Sequence, residues 1–181
     1  MLGGRPLNGT VRRRVNPMRN VWRLVLVATL MVGCVGCDQV SKGMARAQLS
    51  LGENHSYLGD TFRLTHAENL GAFLGIGANL PAPIRVAVFQ GAVSLVVLAL
   101  LWMAAFRRDI RPWQVVGFTL LAASGVGNLI DRFLNDGRVT DFLNLGIGAL
   151  RTGILNFADA FGMLGFVVLL LAVGAAERSR T

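Results

Sequence analysis

Four apolar runs divide the chain, at about 24–40, 84–106, 113–130 and 154–176. Each is close to the ~20 residues that a helix needs to cross a ~30 Å hydrocarbon layer. Between the first two runs the pattern changes. Residues 43–83 are mixed and carry the turn formers Gly52, Asn54, Gly59, Pro81 and Pro83. A rough alternation from Tyr57 to Thr65 predicts one or two short strands there.

The first run follows Arg23 and passes Cys34, loosely like a cleaved signal peptide. The helical pattern continues through Asp38, Gln39, Val40, Ser41 and Lys42, and three more apolar runs follow, so a membrane span is the better reading. Composition agrees: 53% of the 181 residues are hydrophobic and only 15% are charged. The net charge of +8 could suggest a nucleic-acid partner, but its placement points to the membrane. Seventeen of the eighteen basic residues are Arg, and eleven of them lie in three clusters: the N-terminal stretch up to Arg23, Arg107 to Arg111, and Arg178 with Arg180. Four spans put these three clusters on one side, which the positive-inside rule makes cytoplasmic. The expected organisation is a basic cytoplasmic tail (1–20), a four-span domain (21–176) and a cytoplasmic C-terminus (177–181). Its fold class is an all-α membrane protein, four transmembrane helices with a small extramembrane β subdomain (43–83) on the outer side.

Every acidic residue except Asp109 and Glu177 then falls at or near the outer face. Asp131 lies 18 residues after Trp113, and Asp159 lies 18 residues before Glu177. At ~1.5 Å per residue both sit ~27 Å from the inner boundary, on neighbouring antiparallel helices. Asp141 lies in the connection between them. Carboxylates at membrane depth are costly and functional by default. Two that share a proton can activate water and polarise a carbonyl without metal or cofactor. A proton-coupled transporter using Asp131 and Asp159 draws on the same ingredients. Cys34 and Cys37 have no His nearby and make no metal site. Asp38 and Lys42, four apart, share a helix face and can pair.

Five short pieces, in this order, resemble the lipoprotein signal peptidase (signal peptidase II) family. They are Asp38-Gln-Val-Ser-Lys42, Asn69-Leu-Gly71-Ala72, Gly127-Asn128-Leu-Ile-Asp131-Arg132, Val139-Thr-Asp141-Phe142 and Asn156-Phe-Ala158-Asp159. Ser124 stands where the family has glycine, Leu155 where it has an aromatic, and Phe73 and Leu74 exchange an aromatic position. The resemblance implies an aspartic endopeptidase of the bacterial inner membrane. Its substrate is a prolipoprotein carrying a diacylglyceryl cysteine, cut just before that cysteine at the outer leaflet. Spacing alone allows Asp131 beside Asp159; the family pattern assigns the catalytic pair to Asp141 and Asp159. Asn69, Gly71, Asn128, Asp131, Arg132 and Asn156 become substrate-binding or supporting residues, and Asp38 and Lys42 structural ones. The expected partners are lipidated prolipoproteins and membrane lipid, for a monomer with no metal, no cofactor and no nucleic acid.

Overall fold

The computed structural model describes residues 17–72 and 75–178; most of the basic tail, and the Phe73–Leu74 departure, lie outside these residues. Helix α1 (Pro17–Gln48) runs two turns past the expected end at residue 40. The charges do not stop it, because Lys42 is fully buried against Asp38 at 2.8 Å. A second rod, Ala82–Phe106, consists of α2 (Ala82–Arg85), a π-helical stretch (Val86–Ala92) and α3 (Val93–Phe106). Helix α4 (Pro112–Leu134) starts with Pro112 in its first turn and a backbone bond from Arg111 N–H to Gln114 Oε1 at 2.8 Å. It ends where Asp136 and Gly137 turn the chain at φ of 52° and 83°. Helix α5 (Phe157–Arg178) completes, among the described residues, four helices long and apolar enough to cross a membrane.

The polarity of this bundle is inside-out relative to a soluble protein. The largest fully buried side chains are Lys42, Asn156, Thr119, Asp38 and Asp131, whereas Trp22, Leu95, Trp102, Phe166 and Leu171 are exposed. Lipid-facing surfaces need apolar residues, and buried ionisable groups persist only when they find partners. Small residues bring α4 and α5 close together. A Cβ on Gly117 would meet Leu169 Cγ at 2.6 Å, and one on Gly165 would meet the Gly117 carbonyl at 2.9 Å. Ser124 belongs to this seam: a Cβ on Gly162 would lie 2.7 Å from its hydroxyl. That departure therefore packs two helices together.

The sheet is antiparallel, in the order β1 (Asn54–Tyr57), β2 (Phe62–Asn69), β3 (Val139–Ile147), β4 (Leu150–Arg151). Residues 43–83 supply only half of it; β3 and β4 come from the connection between α4 and α5. The alternation near 57–65 falls across the β1–β2 hairpin. Asp141, expected in a loop, lies in β3 opposite Ala67. The backbone reason is pairing on both sides. Strand β2 takes one edge of β3, and Leu155 takes the other through reciprocal bonds with Leu143 of 2.7 and 2.8 Å. Leu155 is buried there and adds a short bridge in place of the family's aromatic.

Candidate active site

The segment entering α5 is a local capping box. Asn156, just before the helix, accepts the Asp159 N–H on its Oδ1 at 3.0 Å. Asp159, in the first turn, accepts the Asn156 N–H on Oδ2 at 3.2 Å. The N-x-x-D spacing thus starts the helix and fixes a carboxylate at its positive end. The remaining groups of Asn156 face inward. Its Nδ2 donates to Asp141 Oδ1 at 2.7 Å and to Asn128 Oδ1 at 3.1 Å. Asn128 Nδ2 donates to Asp159 Oδ1 at 3.1 Å.

Asp141 takes its other bond from Asn69 Nδ2, 3.1 Å from Oδ2. Asn69 is held by its own turn: Oδ1 accepts the Gly71 N–H at 2.8 Å, and Nδ2 also donates to the Ala72 carbonyl at 3.1 Å. Gly71 is needed for space, since a Cβ there would lie 2.5 Å from the Ile76 carbonyl. Arg132 clamps this turn through a 2.7 Å bond to the Gly71 carbonyl, and its guanidinium lies 5.6 Å from the Phe89 ring centre. Phe89 is the buried residue of the π-helical stretch.

Asp141 is 4% exposed. Burial, followed by the neighbouring charge of Asp159, pushes its carboxyl up to about 7. The amides of Asn69 and Asn156 and the Lys42 ammonium pull in the other direction and only moderate the rise. A carboxyl in this state can hold a proton near neutral pH beside an ionised neighbour.

Asp131 does not join this pair. Its Oδ2 accepts the Thr140 N–H at 2.9 Å and lies 3.2 Å from Lys42 Nζ; its Oδ1 lies 3.6 Å from Arg46. Spacing along the helix fixed its height but not the direction it faces. Asp38 lies on the same far side, accepting the Ala158 N–H at 2.8 Å and the Lys42 ammonium. Three contributors went unassigned in the sequence. Gln39 bridges Asp38, the Gly127 carbonyl and Asp131; Arg46 donates to Thr140 Oγ1 at 2.8 Å; and Thr140 ties Arg46 and Asp131 to β3. Arg46 was findable, because Asp38, Lys42 and Arg46 repeat every four residues along one helix face.

Four apolar helices gathered around a carboxylate and amide centre at one end define a multi-span membrane protein with a built polar site. The chain belongs to the signal peptidase II family, whose model matches residues 30–174. The lipoprotein signal peptidase of Desulforapulum autotrophicum is 36% identical over 157 residues, 86% of this chain and 93% of that protein. Its counterpart in Syntrophotalea carbinolica is 37% identical over 152 residues, 82% and 89% of the two chains. A solved bacterial membrane enzyme superposes with a TM-score of 0.76 at 24% identity, over 86% of this chain and 92% of that one, and so shares the fold. The protein is thus a bacterial membrane peptidase that removes signal peptides from lipoproteins.

Proposed function

We propose that Asp141 and Asp159 are the catalytic pair of an aspartic endopeptidase that cuts diacylglyceryl-modified prolipoproteins just before the lipidated cysteine. The observation that carries this reading is the shared bonding of both carboxylates by Asn156. One proton resides on Asp141, and Asp159 is ionised at the positive end of α5. Asp159 takes a proton from water, and the resulting hydroxide attacks the scissile carbonyl. Asp141 passes its proton to the carbonyl oxygen, giving a neutral tetrahedral adduct. Collapse of that adduct re-forms the carbonyl, returns a proton to Asp141 and sends the Asp159 proton to the departing amine.

Asn69, Arg132 and the Gly71 turn present the substrate backbone to the pair. The charge clusters support an outer-leaflet site with both termini cytoplasmic. At that level the acyl chains stay in lipid while the cleaved bond reaches polar groups. Purified protein should cut a lipidated precursor before its modified cysteine and cut the unmodified precursor poorly. Equal rates on the two precursors would overturn the lipid-directed reading.

A further inference from the structure

The polar interior holds one lysine, and its surroundings are unusual for an ordinary ion pair. An ammonium has three N–H groups and no acceptor. Lys42 Nζ meets three acceptors: Asp38 Oδ2 at 2.8 Å, Asn128 Oδ1 at 2.9 Å and Asp131 Oδ2 at 3.2 Å. Two are carboxylates that need neutralising; the third is a neutral amide. An asparagine amide can sit in either of two orientations, and Lys42 tolerates only the one that turns oxygen toward it. Asn156 Nδ2 donates to the same oxygen at 3.1 Å and favours the same orientation. Asn128 Nδ2 is therefore directed at Asp159 Oδ1.

We propose that Lys42 is a positioning residue for the reaction, acting on Asp159 through the orientation of the Asn128 amide. The proposal rests on the catalytic roles suggested above for Asp141 and Asp159. Lys42 is fully buried, so its donors go to these protein acceptors and not to bulk water. The charged groups that face it are Asp38 on α1 and Asp131 on α4 in direct contact, Asp141 on β3 and Asp159 on α5 through their charge, and Arg46 on α1 across the shared Asp131. A lysine that only neutralises Asp38 and Asp131 would act on stability and would be indifferent to Asn128.

A double-mutant cycle between Lys42→Gln and Asn128→Ala separates these roles, using purified full-length protein and a lipidated precursor. Each single change should lower kcat about 100-fold, with KM held within about threefold, because a misdirected donor acts on the reacting group more than on binding. The double variant should be no slower than Asn128→Ala alone. Arg46→Met, which removes a nearby cation without touching Asn128, should instead combine multiplicatively with Asn128→Ala. Should Lys42→Gln fail to fold, the cycle is run in an Asp131→Asn background, where losing one buried charge of each sign leaves the net charge unchanged. Multiplicative losses for Lys42 and Asn128, or a lowered melting temperature with unchanged kcat, would overturn the proposal alone. A wild-type protein unable to cut the precursor, or active variants lacking Asp141 or Asp159, would overturn the underlying reading and this one with it.

Discussion

Asn156 bonds Asp141 through its side-chain amide at 2.7 Å and Asp159 through its backbone N–H at 3.2 Å. One residue thus joins a strand carboxylate to a helix carboxylate. If the pair acts as a unit, Asp141→Asn and Asp159→Asn should each abolish cleavage of a lipidated precursor. The double variant should be no worse than either single one. Binding of the uncut precursor should persist, because Asn keeps the shape. Turnover by either single variant within about tenfold of wild type would exclude the pair.

Asp131→Asn should behave differently. Its carboxylate is 1% exposed, pairs with Lys42 and holds the Thr140 N–H. Breaking one side of a buried pair costs about 3–5 kcal/mol. Asn retains an acceptor for Thr140, so the expected result is a clearly lower melting temperature with reduced but measurable cleavage. Complete inactivity at wild-type stability would put Asp131 in the reaction itself.

The pH dependence follows from Asp141. Its proton is held up to about 7 in the folded protein, against an ordinary value of 3.8. The protonated form therefore adds stability that is complete below 3.8 and is lost as pH rises through about 7. Cleavage should decline as pH rises through and above about 7, where Asp141 gives up its proton in the folded protein. Asp141→Asn keeps an uncharged group there, so its melting temperature should exceed that of wild type at about pH 8.5 and differ less near pH 5. A cleavage rate that stays flat from about pH 6 to 9 would contradict this assignment.

Gly127→Ala probes the packing behind the site. The added Cβ would lie 2.6 Å from Asp38 Oδ2 and 3.2 Å from Ala158 Cβ. Neither neighbour is free to move, since Asp38 also holds Lys42 and the Ala158 N–H. A loss of about 1–3 kcal/mol is expected, read as a lower melting temperature. Unchanged stability would show that α1, α4 and α5 tolerate a wider approach.

Topology is checked by reporter fusions. Insertions after Arg111 and after Gly148 fall on opposite sides of α4. They should give opposite signals, cytoplasmic for the first and external for the second. Equal signals would refute the four-span arrangement.

The sequence by itself determined the class of fold and the family, through its apolar runs and its short polar motifs. Apolar runs of spanning length report directly on the solvent they must face. The capping spacing Asn156-Phe-Ala-Asp159 is local, so it too was legible. What lies between distant residues was not. Counting residues along α4 gives the height of Asp131 but not the direction it faces, and packing against α1 turns it toward Lys42. Asp141 sits in a strand because β2 and Leu155 pair with β3 from either side, a partnership of segments far apart in sequence. Only the tertiary structure brings Lys42 to Asn128 across 86 residues. A buried ammonium needs three acceptors, and only packing decides which side chains supply them.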